Sequence, residues 1–463
     1  MSTPNTHLGA SKIDEILKNC KSIYFIGIGG INMSSLAHIS LNRGFSVGGS
    51  DRSPSELTEK LERCGIKINY SHNAENIHGY DAVVYTVAIS PDNPEYLEAE
   101  RLGLPLISRA DFLGYVMMGY SRRIGVSGMH GKSTCTSMCA QVFIGASVSP
   151  TVLSGAELEI MDGAYVVGTG EDFIFEACEY MDSFLDFNPN IAVILNVEMD
   201  HVDYFHSIEQ IHSSFSKFAS LVGNNGFVVA NADNENVSLA LREHKGRIIS
   251  FGIDSENADF RAVNITESRG KYSFDILKKG DLLCHAKLSV TGYHNVYNAL
   301  ACAAAADLCS IAPSDISAGL EAFRGARRRM EYKGMLSGAE LYDDYGHHPT
   351  EVFTTLKGAR GLASRRLICV FQPHTYSRTK ALLYEFSKAF EYADKVLLTD
   401  IYAARELDDG SISSAVLAEM IGEKATYCNT IKNTADTLRA ELSEGDVAVV
   451  MGAGDVWKIF ELL

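Results

Sequence analysis

"RRIGVSGMHGKSTCTSM", residues 122 to 138, runs from an apolar strand through a glycine loop into Lys-Ser-Thr and a helical pattern. A loop of this form turns several N–H groups inward around a polyphosphate, aims a helix N-terminus at it, adds an ammonium group and leaves a hydroxyl for a metal. Gly128, Gly131, Lys132, Ser133 and Thr134 are therefore the candidate nucleotide-phosphate contacts, with Lys132 neutralising β/γ-phosphate charge and Ser133 holding magnesium. The general nucleotide loop has a glycine six residues before the lysine. Val126 stands there in this chain, so the cradle is the shorter Gly128-x-x-Gly131-Lys132-Ser133. The alternative, a Gly-Lys-Ser turn without a ligand, is opposed by the strand before it and the helix after it.

Outward from this loop, strands alternate with helices: "SIYFIGIG", "FSVGGSD", "DAVVYTVAIS", then "FIFEACE", "IAVILNV", "GFVVANAD", "RIISFG", and finally "AELYDDYG", "RLICVFQP", "KVLLTDIY" and "DVAVVMGAG". The alternation predicts an α/β protein of doubly wound parallel sheets, with ligands at the carboxyl ends of the strands. A chain of 463 residues exceeds one core. Polar stretches near residues 120 and 328 divide it into units 1–121, 122–329 and 330–463, and residues 259 to 290 alternate as a small antiparallel insertion in the middle unit.

Lys plus Arg number 41 and Asp plus Glu 58, for a net charge of −17, which argues against nucleic acid as a partner. Ten scattered cysteines without a C-x-x-C fit reduced thiols, and the longest apolar runs, such as "ALACAAAADLC", are too short to span a bilayer. The expectation is a cytoplasmic protein with no membrane insertion.

A second glycine turn lies in "YFIGIGGINMSSLAHISLNRGFSVGGSD", residues 24 to 51. Gly27, Gly29 and Gly30 allow close approach to a diphosphate, and Asp51 stands where a ribose-binding carboxylate is expected, but Asn32 replaces the third glycine of the dinucleotide pattern. NAD, another diphosphate and a purely structural turn all stay open on this segment. In the middle unit, "FEACEYMDSF" and "NVEMDHVDYF" put Glu176 and Glu179 at one strand end and Asp200, His201 and Asp203 at the next. Buried acids repel one another without a cation, which predicts magnesium near the phosphate loop; solvated loop acids are the alternative. His7, His38 and His244 read as surface or satisfied core residues, and "GAGDVW" near residue 454 as a structural turn.

With these pieces in order, the chain resembles the Mur ligase family, through "GIGGINMS", "GMHGKST", "EACEYMDSF", "NVEMDHVDYF", "GYHNVYNALA", "DDYGHHPTEV", "FQPHTYSRT" and "DIYAARE". The resemblance implies three α/β domains: a Rossmann-like N-terminal domain, a central P-loop ATP-binding domain with a parallel sheet, and a C-terminal Rossmann-like domain. It implies ATP-dependent ligation of L-alanine to the lactyl carboxylate of UDP-N-acetylmuramate through an acyl phosphate, in peptidoglycan precursor synthesis. The N-terminal turn would then hold a UDP-sugar diphosphate through Gly29, Gly30, Ile31 and Asn32, with Asp51 and His72 near the uridine. The resemblance further implies magnesium positioned by Ser133, Glu176 and His201. It implies adenine contacts from His294, Asn295 and Asn298, an ATP-phosphate arginine in Arg329, a ribose contact in Asp344, and amino-acid contacts from Tyr345, His347 and Arg378.

The chain departs from the family pattern at Met129, Ser133 and Cys135 in the loop, at Thr375 where many relatives carry arginine, and at Arg405 where they carry glycine. Several siblings carry a carboxylated lysine on the second magnesium, and Lys217 is out of register for that role. Of the residues implied, His347 either takes the amine proton or only positions the substrate, and Arg329 joins the site on closure of the third domain. A sibling ligase with another acceptor, a nucleotide-sensing protein without catalysis and an NAD-dependent dehydrogenase are the competing readings. The expected state is a monomer or homodimer.

Overall fold

The computed structural model describes residues 3–201, 204–404, 406–408 and 410–463. Asp203 and Arg405, named above, lie outside the described residues. The chain divides into two compact units, Met1–Phe260 with Ala301–Asp315, and Arg261–Leu300 with Ile316–Leu463.

The first unit holds two sheets. In the N-terminal one, strands Lys67–Asn69, Ser46–Ser50, Ser22–Ile26, Ala82–Tyr85 and Leu106–Ser108 lie in that order and are all parallel. The order reverses beside Ser22–Ile26, which puts a crevice at its carboxyl end, where the glycine turn begins. Tyr24, Phe25 and Ile26 are fully buried, as expected for a strand covered on both faces.

The second sheet of this unit runs Arg247–Gly252, Phe227–Asn231, Ile191–Ile194, Arg122–Ser127, Asp172–Glu176, Thr151–Leu158 and Gly163–Val166. All neighbours pair in parallel except the last two. Arg122–Ser127 is central, and the carboxyl ends of its two neighbours deliver Glu176 and Asn196 to the same edge, with Asn231 one strand further on. The pair Arg122–Asp172, with contacts of 2.6 and 2.7 Å, closes the opposite edge of two of these strands. Lys217 is exposed on the helix Ile208–Ser220, whose Ser214, Phe215 and Phe218 are buried, so it faces away from the sheet, consistent with its being out of register.

In the second unit, Lys271–Lys278 and Asp281–Thr291 form the antiparallel hairpin expected near residues 259 to 290. Residues 261–300 cluster with the C-terminal part of the chain. The C-terminal sheet runs Glu331–Leu336, Ala339–Asp344, Val447–Met451, Leu367–Phe371, Lys395–Thr399 and Ala425–Asn429, parallel except for the first pair. The "GAGDVW" turn is structural: Gln372 bonds both Asp455 and the Val456 N–H, and Arg328 donates to Gly452 O at 2.6 Å. All ten cysteines are free thiols, and among the described residues no helix is long and apolar enough to cross a membrane.

Candidate active site

The phosphate loop follows strand Arg122–Ser127 and opens the helix Lys132–Gly145, which has no side-chain cap. Gly128 has φ +139°, and a Cβ there would lie 3.0 Å from Leu195 Cβ and 3.1 Å from Asn196 N, so only glycine fits this approach. Gly131, at φ +84°, makes the turn into the helix. The loop's shape is held from the next strand end: Asn196 Oδ1 accepts from His130 N and Asn196 Nδ2 donates to His130 O, both at 2.9 Å. The uncapped first-turn N–H groups and the helix dipole make this end a site for an anion. Thr134 sits in that first turn, partly exposed.

Lys132 Nζ donates to Gly128 O at 2.7 Å and Met129 O at 3.1 Å, and lies 3.0 Å from Glu179 Oε1. Burial pulls its pKa down, but Glu179 and Glu176 outweigh that and leave it raised, so the ammonium is charged at neutral pH. Glu179 is fully buried, and His201 Nε2 lies 3.0 Å from the same Oε1. Burial raises the Glu179 carboxyl, yet Lys132 and His201 bring it below its usual range, so it is ionised. Ser133 Oγ donates to Glu176 Oε2 at 2.8 Å, and Gly155 N donates to the same oxygen at 3.0 Å.

These residues fit a hard cation. Glu179 Oε2 is buried with no hydrogen-bond partner, a costly state that a cation relieves. Among the described residues no group of three or more His, Cys, Asp or Glu has metal-holding geometry. Glu179 is the more suitable ligand than His201, whose imidazole reaches Glu179. The sequence signal for Glu179 is its spacing of three from Glu176 at the same strand end. His201 has φ +50°. Such left-handed backbone in a non-glycine residue is a strain that clusters at functional sites.

At the N-terminal turn, Gly29 N donates to Asp51 Oδ2 at 2.8 Å and Gly30 N to Gly27 O at 3.3 Å. The turn thus uses Gly29 and Gly30 internally, and the uncapped start of helix Ile31–Asn42, including Asn32, offers the N–H groups for a diphosphate. His72 Nδ1 lies 2.8 Å from Glu95 Oε2 and 3.2 Å from Ser50 Oγ. Glu95, fully buried, also accepts from Tyr24 Oη, Ser50 Oγ and Asn76 Nδ2 at 3.0, 2.6 and 2.7 Å. Glu95 is not legible in the sequence, because "NPEYLEAERLG" has the pattern of an ordinary amphipathic helix. The charged residue on its buried face carried no motif.

In the second unit, His294 is exposed at the start of helix His294–Leu308. Asn295 and Asn298 are buried behind it: Asn295 Nδ2 donates to Thr291 O at 2.7 Å and Asn298 Nδ2 to Asn295 Oδ1 at 2.9 Å. Asp344 accepts from Gly346 N at 2.8 Å and Met330 N at 2.9 Å, tying the linker to the first parallel strand. Its remaining lone pairs are the ones a ribose could use. Burial raises its pKa, opposed by Arg329. Arg329 lies 5.4 Å from the Tyr345 ring centroid, and its Nη1 is 3.9 Å from Glu351 Oε1.

His347, His374 and Tyr345 cluster nearby, with the His347 ring 5.6 Å from each of the other two. Burial lowers the pKa of His347, with Arg378 and Arg329 adding to it and Glu351 opposing, so the ring is neutral at pH 7. Arg378 Nη1 lies 3.3 Å from His374 Nδ1, and among the described residues Arg378 has no carboxylate partner. An unpaired guanidinium beside neutral imidazoles can take a carboxylate while leaving an amine unprotonated. His374, within the quoted "FQPHTYSRT", was not singled out from sequence. Thr375, at φ +66°, caps helix Tyr376–Ala381 by accepting from Arg378 N.

Comparison with known proteins gives three family matches: "Mur ligase family, catalytic domain" over residues 22–121, "Mur ligase middle domain" over 126–306, and "Mur ligase, glutamate ligase domain" over 328–454. The UDP-N-acetylmuramate–L-alanine ligase of Acetivibrio thermocellus is 47% identical over 446 residues, covering 96% of this chain and 95% of that one. Its counterpart from Caldanaerobacter subterraneus is 45% identical over 449 residues, with 96% and 97% covered. The crystal structure of the UDP-N-acetylmuramate-alanine ligase MurC from Thermotoga maritima matches with a TM-score of 0.79 at 29% identity, covering 95% and 97%.

A Cβ at Gly155 would lie 2.3 Å from Glu176 Oε2. Gly155→Ala therefore displaces that carboxylate from Ser133, and the magnesium concentration that half-saturates binding of an ATP analogue should rise roughly tenfold, read by titration calorimetry. An unchanged magnesium dependence would contradict this role for Glu176. His374 is held neutral by burial, with His347 and Arg378 adding to it, and its pKa is lowered to about 4. The unfolded chain then binds a proton that the native one does not, so stability falls as pH drops from about 6.5 to about 4. With allowance for its partial exposure, urea titrations should show His374→Gln removing roughly 1 to 2 kcal/mol of that loss.

Proposed function

The chain belongs to the Mur ligase family, and on that premise we propose that it joins L-alanine to the lactyl carboxylate of UDP-N-acetylmuramate at the expense of ATP, in peptidoglycan precursor synthesis. The observation that carries this reading is the buried Lys132 ammonium, set between loop carbonyls and Glu179 at an uncapped helix N-terminus. That arrangement suits an incoming polyphosphate. The near-full-length likeness to L-alanine ligases supplies the choice of amino acid.

A carboxylate does not condense with an ammonium group in water, so the acid is first activated. The γ-phosphoryl group of ATP passes to a lactyl oxygen, the bond to the β-phosphate bridging oxygen breaks, and ADP leaves. The amine of L-alanine then attacks the acyl carbon, and phosphate departs from the tetrahedral intermediate. The first step brings anions together, and Lys132 and Arg329 offset that charge. Magnesium, when bound, would be held by Ser133, Glu176 and Glu179, with His201 beside them, and would supply charge neutralisation on the phosphates. Arg378 is assigned to the carboxylate of L-alanine, beside Tyr345. A neutral His347 is able to accept the amine proton, or it orients the substrate alone.

In this reading the domains are 1–121 for the UDP-sugar, 122–329 for ATP and 330–463 for the amino acid. Gly29, Gly30 and Asn32 shape the diphosphate end, and Asp51 and His72 lie on the uridine side. Gly128, Gly131 and Thr134 line the ATP phosphates, His294, Asn295 and Asn298 are assigned to adenine, and Asp344 to the ribose. The reaction is assigned to the cytoplasm, with the enzyme a monomer or homodimer.

The test is phosphate release from ATP and magnesium with UDP-N-acetylmuramate, with L-alanine, glycine, L-serine or no amino acid. Release should require both the sugar nucleotide and L-alanine, and Lys132→Ala should lower it roughly 100- to 1,000-fold. Binding of ATP and UDP-sugar without turnover for any acceptor would overturn the ligase reading in favour of a nucleotide-sensing protein.

A further inference from the structure

We propose that a cavity of about 580 Å³ in the second unit is a binding site for a small organic anion carrying a planar ring, separate from the site assigned above. Its volume falls in the range of small-molecule sites. Strand Ala339–Asp344 runs from one to the other: Glu340 at its start lines the cavity, while Asp344 at its end lies about 13 Å further along, and the lining residues Met330 and Thr291 bond Asp344 and Asn295 through their backbones.

The charge of the lining selects an anion. Arg269, Lys271 and Arg324 face one carboxylate, Glu340. Glu340 is already engaged, pairing with Arg269 Nη2 at 3.0 Å and accepting from Tyr342 Oη at 2.6 Å. Arg324 is fixed in place by the Ser289 hydroxyl and by Glu321 O at 3.2 Å. The two flanking acids turn elsewhere, Glu267 to the Gly270 N–H and Glu321 to Lys287. Among the described residues neither Lys271 nor Arg324 has an acidic partner. Two unpaired cations in one concavity of a chain with net charge −17 are a local exception, and an anion satisfies them.

The lining also selects a ring. Tyr332 and Tyr342 meet edge to face with centroids 5.5 Å apart, and Tyr332 is 54% exposed, leaving aromatic surface available for stacking. Met330 completes this wall, and its N–H is the one Asp344 holds. A ligand here therefore touches the linker that carries Arg329.

The test is titration calorimetry of the full chain with 1-naphthyl phosphate and with inorganic phosphate, in the presence of saturating non-hydrolysable ATP analogue. Naphthyl phosphate should bind, more tightly than phosphate, and Lys271→Gln and Tyr332→Ala should each weaken it roughly tenfold while leaving affinity for the ATP analogue unchanged. Both side chains are on the surface, so neither change threatens folding. No binding at millimolar concentration, displacement by the ATP analogue, equal affinity for the two phosphates, or unaltered binding in both variants would each overturn the proposal.

Discussion

The Lys132 ammonium lies 3.0 Å from a fully buried carboxylate, Glu179, at the mouth of an uncapped helix. Either charge alone in that position would cost several kcal/mol, and removing one partner of such a buried pair typically costs about 3 to 5 kcal/mol. Glu179 is itself held by His201, and Glu176 by Ser133 and the Gly155 N–H. The loop can therefore keep a cation and two acids within one small volume, which is the electrostatic condition for moving a phosphoryl group between anions.

The same construction recurs at the other sites with different side chains. At the N-terminal turn, Asp51 fastens the Gly29 N–H and leaves the start of the next helix uncapped. In the C-terminal sheet, Asp344 fastens the Gly346 and Met330 N–H groups at a strand end. In each case a parallel strand stops, a turn exposes backbone donors, and a carboxylate or amide at a strand end fixes the turn's shape, from the neighbouring strand at the first two sites and from the same strand at Asp344. Rigid sheets supply the position, and short turns supply the chemistry.

The strands that were legible from sequence are those buried on both faces, such as Ser22–Ile26, Ile191–Ile194 and Val447–Met451, where continuous apolar runs leave little ambiguity. Lys67–Asn69, Leu106–Ser108, Gly163–Val166 and Ala425–Asn429 are not legible, because strands this short carry too few residues for a periodic pattern and are fixed by the partner they pair with. The site shows the same division. Lys132 and Ser133 belong to a local pattern and were legible, whereas Glu95 and His374 acquire their partners only when distant segments meet. His72 and Glu95 are 23 positions apart, and Tyr24 and Glu95 71. The likeness to the Mur ligases covered what spacing could not, and it left Glu95 unassigned as well.

The central claim is that the phosphate loop activates a carboxylate by phosphorylating it. The most direct measurement uses UDP-N-acetylmuramate with ¹⁸O in both lactyl carboxylate oxygens, followed by mass analysis of the phosphate released with L-alanine and ATP. Transfer through an acyl phosphate predicts that each phosphate carries one ¹⁸O and that the amide product retains the other. Phosphate without ¹⁸O would mean that ATP is hydrolysed by water and would contradict the account.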